Sequence, residues 1–126
     1  MKQFFIALTG MILLTSFTAN TGIDDIVSAL KGGNASLVSK YFDKTVDITL
    51  PEKSNSYSSS QAAMILRDFF NINPIKGFQV IHKGENSGSQ YCIGTLLTKN
   101  NSYRTTIFMK QKGDKQILQE IRFEDQ

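Results

Sequence analysis

The sequence predicts an α+β fold in which three helices pack against one face of a curved, mainly antiparallel sheet of four to six strands. Apolar residues recur at helical spacing in the stretches before residue 43 and after residue 58. From residue 78 to residue 124 the alternation has period two, and glycine and asparagine residues separate the runs. Helices that come first and a run of hairpin-connected strands that follows are typical of this class.

The amino-terminal stretch is typical of an export signal. Lys2 is followed by an uncharged, apolar run over 4–17 and then by small and polar residues. That run is shorter than the roughly 20 apolar residues that cross a bilayer as a helix. We therefore expect a cleaved signal peptide over 1–19 and a single exported domain over 20–126, which is periplasmic or secreted and has no stable membrane anchor after cleavage.

Composition and charge argue against several function classes. A formal net charge of +3 without a run of five basic residues gives no indication of a nucleic-acid partner. The single cysteine, Cys92, has no partner for an internal disulfide, and its place in a predicted strand indicates a buried, inert thiol. The sequence contains no metal-ligand spacing and no phosphate-binding motif, so we expect neither a metal nor a cofactor.

Two short helices are predicted on either side of Gly32-Gly33. The glycines can adopt the positive φ of a helix C-cap, and Asn34 is a good N-cap for the second helix. We expect the second helix to end on Tyr41 and Phe42 and this aromatic pair to fill the concave side of the sheet. The apolar face of the first helix consists of Ile23, Ile26, Val27 and Leu30.

A first strand and a third helix follow. Val46, Ile48 and Leu50 alternate with polar residues and predict the strand. The serine-rich stretch 52–60 reads as a loop, either alone or with a short strand around Tyr57. Ser58 and Gln61 have the spacing of a capping box, so a third helix is expected from there to Asn73-Pro74.

The rest of the chain predicts four antiparallel strands in meander order, over 78–83, 90–98, 103–112 and 116–124. Strict alternation on the last strand places Ile117 with Ile121 and Phe123, and Leu118 on the opposite face. The same rule places His82 on the face of Phe78 and Val80.

Three stretches resemble a known family. The sequence "ALKGGNASLVSKYFDKTVDITL" at 29–50, with helix, small-residue break, aromatic residues and first strand, resembles the opening of the nuclear transport factor 2-like fold, a cystatin-like α+β cone. More narrowly, "GIDDIVSALKGGNASLVSKYF" and "YRTTIFMKQKGDKQILQEIRFE" are similar to the secreted domain-of-unknown-function family 4783 of Bacteroidetes-type bacteria. The resemblance covers 22–124 and implies the fold, but it carries no activity with it.

Enzymes of that superfamily place acid, base and oxyanion-stabilising residues inside the cone, which makes His82 and Asp47 candidate acid–base residues. His82 is the one histidine of the chain and has no evident partner, whereas the neighbours of Asp47 indicate that it faces solvent. Aromatic residues either fill the cone or line a residual apolar pocket. The pocket candidates are Tyr41, Phe42, Phe69, Phe70, Phe78, Tyr91 and Tyr103.

The sequence favours a noncatalytic exported domain that binds a small apolar molecule, a peptide or another copy of itself. One alternative is a lyase, isomerase or hydrolase, which a carboxylate within hydrogen-bond reach of His82 would indicate. A second alternative is an inhibitor-like module with a contact loop over 52–60. A homodimer through the sheet would be indicated by an exposed apolar face that contains Ile81, Cys92, Leu96 and Phe108.

Overall fold

A computed structural model describes residues 22–126, so the predicted signal peptide over 1–19 and the boundary at residue 20 lie outside the described residues. Three helices and six strands confirm the predicted α+β class. None of the helices in the described part of the chain is long and apolar enough to span a membrane. In chain order the elements are α1 Gly22–Lys31, α2 Ala35–Ser39, β1 Phe42–Leu50, β2 Lys53–Ser58, α3 Ser59–Ile72, β3 Ile75–Asn86, β4 Ser89–Thr98, β5 Ser102–Lys112 and β6 Lys115–Asp125.

The two glycines end α1 as the sequence predicts. Gly33 has a φ of 64°, its N–H donates to the Leu30 carbonyl at 3.0 Å, and the N–H of Asn34 donates to the Ala29 carbonyl at 2.8 Å. These two bonds form a Schellman motif, which satisfies carbonyls that would otherwise be unpaired at the helix end. The Asn34 side chain then accepts from the N–H of Leu37 at 3.1 Å and begins α2.

The second helix is shorter than predicted. It ends at Ser39, and Phe42 is already the first residue of β1, where it pairs with Leu118 of β6. Tyr41 and Phe42 are half-buried and pack at the edge of the core. The prediction that this pair ends α2 and fills the concave side of the sheet is therefore wrong. Helical spacing continues through both residues in the sequence, but the pairing of β1 with β6 takes Phe42 into the sheet.

The capping signal before α3 is confirmed, since the Ser58 hydroxyl accepts from the N–H of Gln61 at 3.3 Å. The stretch before it is mostly strand, because β2 pairs antiparallel with β1 through six residues, including Val46 with Tyr57. The strand around Tyr57 is thus confirmed, and the interpretation of 52–60 as a loop alone is wrong.

All six strands form one sheet in the order β2-β1-β6-β5-β4-β3. The last four strands are antiparallel neighbours, which confirms the predicted meander. β1 pairs parallel with β6, and this contact joins the two halves of the chain. Helix α1 contacts β3, β4 and β6, α3 contacts β1 and β2, and α2 contacts α1 and α3. We call the helix-covered face of the sheet the inner face and the opposite one the outer face.

A bulge changes the alternation on β6. Phe108 pairs with Glu120, but the next residue of β5, Met109, pairs with Leu118, so β6 contains one extra residue. Leu118 therefore shares the inner face with Ile121. The prediction that Leu118 lies opposite Ile121 is wrong, because the inserted residue reverses the parity of everything before it.

The inner face carries the core. Residues of its three central strands are completely buried, and they are Cys92, Leu96, Ile107, Met109, Leu118, Ile121 and Phe123. Helix α1 covers them with Ile26 and Leu30, and α3 covers them with Leu66. Side chains of the outer face, such as Asp47, Tyr91, Arg104 and Phe108, are exposed or half-buried.

Candidate functional site

A second bulge determines where the single histidine lies. On β3, Val80 pairs with Gly94, but His82 pairs with Ile93 and Lys83 pairs with Cys92, because one extra residue is inserted between Val80 and His82. Directly paired residues have side chains on the same face, so His82 lies on the outer face with Ile93. The predicted placement of His82 beside Phe78 is wrong for this reason.

The partner of His82 is a hydroxyl. Its Nε2 lies 2.7 Å from the Tyr91 Oη, and the two ring centroids are 5.4 Å apart. Tyr91 reaches this position because its ring lies over Gly84, where an added Cβ would be 2.3 Å from a ring carbon. In the described structure no carboxylate is hydrogen-bonded to His82. The pair thus lacks the orienting acid on which general-base catalysis by histidine usually depends.

Next to this pair the outer face is apolar. Tyr91 pairs directly with Phe108 of β5, and Ile93 and Leu97 lie on the same face of β4 as Tyr91, with Thr95 between them. Phe108 is 36% exposed, and the other three apolar residues are half-buried. We call these four residues, Tyr91, Ile93, Leu97 and Phe108, the outer patch. Ile81, the extra residue of the β3 bulge, is 64% exposed and lies at its border.

The predicted dimer face is divided between two faces. Cys92 and Leu96 are completely buried on the inner face, whereas Phe108 belongs to the outer patch. Cys92 pairs with Ile107, and Leu96 pairs with Tyr103, so both alternate with the residues of the outer patch. Burial raises the pKa of the Cys92 thiol, which is consistent with the inert thiol that the sequence predicts.

Charged residues occupy the other half of the outer face. Asp47 of β1 accepts a hydrogen bond from the Ser56 hydroxyl and pairs with Glu120 of β6 in the parallel register. Arg122 lies 3.1 Å from the Glu120 carboxylate, and Arg104 of β5 pairs with Glu124. Asp47 is exposed, as predicted, and it is four strands away from His82 in the sheet order.

Four of the aromatic pocket candidates lie in the core. Phe69 of α3 stacks on Phe123 at a centroid distance of 4.7 Å and meets Tyr103 edge-on at 5.3 Å, and Phe70 meets Phe123 at 6.2 Å. The Tyr103 hydroxyl donates to Asn73 Oδ1 at 3.0 Å.

The fourth of these rings, Phe78, is 4% exposed and lies over Gly94, where an added Cβ would be 2.5 Å from its Cζ. Rings that pack on one another and on backbone fill this part of the cone.

The two remaining candidates, Tyr41 and Phe42, line surface grooves. Tyr41 donates to Asp25 Oδ2 at 2.5 Å, and this bond raises the pKa of Tyr41 to about 12. On one side of the pair a groove of about 470 Å³ runs between α1 and α2, with Leu37 and Lys40 in its walls. On the other side a groove of about 480 Å³ also includes Phe42. Nothing in the sequence pattern marked Asp25 as the partner of Tyr41, because it is one of two adjacent acids in the first turn of α1.

Residues 22–126 contain no group of three or more His, Cys, Asp or Glu side chains placed to hold a metal ion.

Comparison with known proteins agrees with this fold. The family model for a domain of unknown function, DUF4783, matches residues 23–124. The chain belongs to the DUF4783 family. No match was found among curated proteins.

Three solved structures illustrate the similarity. The DUF4783 protein from Bacteroides ovatus ATCC 8483 is 28% identical, with a TM-score of 0.78 over 81% of this chain and 93% of that one. The DUF4783 protein from Bacteroides fragilis YCH46 is 30% identical, with a TM-score of 0.76 over 81% and 96%. An NTF2-like protein of unknown function from Cytophaga hutchinsonii is 10% identical, with a TM-score of 0.59 over 82% and 86%, and it shares the fold alone. The NTF2-like fold and the DUF4783 membership agree with the resemblance in the sequence.

Proposed function

We propose that this DUF4783 protein is an exported, noncatalytic binding domain whose outer patch associates with a second copy of the same chain. The observation that carries the proposal is the outer patch itself, in which Tyr91 and Phe108 pair directly and remain partly exposed on the outer face. Large apolar side chains that stay partly exposed on one face commonly mark an interaction surface. The uncharged run over 4–17 supports export.

The size of the outer face fits a dimer. Six strands about 4.8 Å apart and about 30 Å long span roughly 700 Å². A stable interface buries about 800 Å² per partner, so most of the face would take part. Two similar sheets packed face to face, about 10 Å apart, are also a common arrangement in β-proteins.

The charges on the same face favour a self-complementary partner. The same face contains the carboxylates of Asp47, Glu120 and Glu124 and the guanidinium groups of Arg104 and Arg122, so it is not of one sign. A two-fold interface brings the same surface of each copy together, and a face of one sign would repel its own copy. A face with both signs avoids this repulsion and leaves the apolar contact to stabilise the dimer.

The alternative functions, which include a small apolar ligand inside the cone, have less support from the structure. The rings of Phe69, Phe70 and Phe123 contact each other at the positions where an apolar ligand would lie. The acid–base alternative depends on His82, which is hydrogen-bonded to Tyr91 on the outer face. The inhibitor-like alternative depends on 52–60, most of which is paired in β2.

Sedimentation velocity on residues 20–126 tests the proposal. We expect the wild type and Met64→Glu to be dimers. Phe108→Glu should be a monomer, because a dimer would bury its carboxylate without a partner. Met64 is the matched control because it is 53% exposed on α3, away from the outer face. Phe108→Ser is a milder second variant, and circular dichroism confirms that each variant is folded. Two results would refute the proposal. One is a monomeric wild type at about 100 µM, a concentration well above the micromolar Kd of a weak complex. The other is a folded Phe108→Glu variant that is still a dimer.

A further inference from the structure

A cleft on the helix side of the molecule lies between the start of α1 and the end of the β3–β4 hairpin. Its volume is about 350 Å³, which suits a small molecule rather than a protein segment. Its lining residues are Ile23, Asp24, Lys83, Gly84, Glu85 and Gln90. None of these residues belongs to the outer patch, although the Tyr91 ring of the patch lies over Gly84.

Gln90 is the unusual member of this lining. It is 5% exposed, and its Oε1 is buried without a hydrogen-bond partner among the described residues. A buried amide oxygen that pairs with nothing destabilises the fold, and the great majority of buried polar atoms in proteins are paired. Because Gln90 lines the cleft, this buried, unpaired acceptor indicates a donor that comes from outside the chain.

The charges of the cleft identify the kind of donor. Lys83 Nζ is 2.9 Å from Asp24 Oδ1, and this contact raises the pKa of Lys83, so the cation of the cleft is already engaged. Glu85 pairs directly across the ladder with Gln90, which places both side chains on the same face with their Cβ atoms about 5 Å apart. Glu85 forms no ion pair with the described residues. With Asp24 neutralised by Lys83, the cleft keeps one negative charge.

We propose that this cleft binds a small primary amine in its protonated form. The ammonium would donate to the open Oε1 of Gln90 and to the carboxylate of Glu85, and its short carbon chain would lie against Ile23. An ammonium has three donors, which suits two acceptors on neighbouring strands. Charge-assisted hydrogen bonds of this type are also stronger than neutral ones.

Titration of the ¹⁵N-labelled domain with n-butylammonium, followed by NMR, tests the proposal. We expect saturable shifts of the Gln90 side-chain amide and of the Glu85 backbone amide at millimolar ligand. Tetramethylammonium, a cation without N–H donors, should give no saturable shift. Glu85→Gln should weaken binding by about fivefold or more, whereas Glu52→Gln, the same charge change in the β1–β2 turn, should leave it unchanged.

Gln90→Leu separates a binding role from a structural one. If Oε1 is kept open for a ligand, the variant should lose n-butylammonium binding and melt at a higher temperature, because an unpaired buried acceptor has been removed. A residue that supports the fold would melt at a lower temperature when replaced. Three results would overturn the proposal: equal shifts with tetramethylammonium, binding that persists in Gln90→Leu, or no saturable shift in the wild type. If the wild type shows no saturable shift, the Gln90 Oε1 holds a water molecule only.

Discussion

Replacement of Phe123 by alanine should be the most damaging single truncation in the aromatic cluster. Phe123 is completely buried, stacks on Phe69 at 4.7 Å and meets Phe70 edge-on at 6.2 Å. Phe→Ala in a core costs about 3–5 kcal/mol, and ring pairs contribute about 0.5–1.5 kcal/mol each beyond burial. We therefore expect a loss of about 5 kcal/mol in the free energy of unfolding. For half-buried Phe42, Phe42→Ala should cost about 2 kcal/mol.

Urea denaturation followed by far-UV circular dichroism measures both losses on residues 20–126. Small domains are stable by about 5–15 kcal/mol, so Phe123→Ala is close to the limit of folding. Phe123→Leu keeps an apolar side chain, removes the ring contacts and should cost about 1–2 kcal/mol. If Phe42→Ala cost as much as Phe123→Ala, the aromatic pair after α2 would be the centre of the core, and the assignment of that role to α3 and β6 would be refuted.

Two further predictions concern the α1–α2 corner. Gly33→Ala should lower the free energy of unfolding by about 1–2 kcal/mol, because φ is 64° and the new Cβ would be 3.1 Å from Ile75 Cβ. Gly32→Ala is the control and should be near neutral in the same urea titration, because its new Cβ would make ordinary contacts at 3.8 Å. The raised pKa of Tyr41 means that its bond to Asp25 stabilises the fold below pH 10 and loses this effect as the pH rises towards 12. Tyrosinate absorbance should therefore show a step near pH 12 that Tyr41→Phe abolishes, and persistence of that step in the variant would contradict the assignment.

Local signals in the sequence predicted local structure well. Gly33, Asn34 and Ser58 each cap a helix end through contacts within five residues along the chain, so the residue type and its immediate neighbours are sufficient. The meander could also be predicted from the sequence, because hairpin turns favour glycine at positions of positive φ, as at Gly88 and Gly113.

The sequence pattern did not determine which face of the sheet a residue occupies or where an element ends, because both depend on the pairing with a neighbouring strand. An inserted residue on β3 turns His82 to the outer face, and another on β6 turns Leu118 to the inner face. Both reversals follow from the register with a neighbouring strand, which period-two counting cannot detect. Phe42 fits a helical pattern and a strand pattern equally, and its contact with Leu118 decides between them.

The sequence pattern also did not predict which polar side-chain atoms are buried. Gln90 stands in a strand between Ser89 and Tyr91 with nothing to mark it as buried, because glutamine is mostly an exposed residue type. The pairing of Gln90 with Met109 and Glu85 places it under α1, and only that placement makes the amide oxygen a candidate ligand-binding atom.

The position of β6 has a consequence for the order in which the molecule can assemble. This strand follows the other five along the described chain, yet it lies between β1 and β5, and Phe42 finds its partner only when Leu118 has been synthesised. A nascent polypeptide that lacks the eleven residues of β6, Lys115–Asp125, has two separate half-sheets with open edges. The complete six-stranded sheet can therefore form only after β6 has left the ribosome, because this strand joins the two halves.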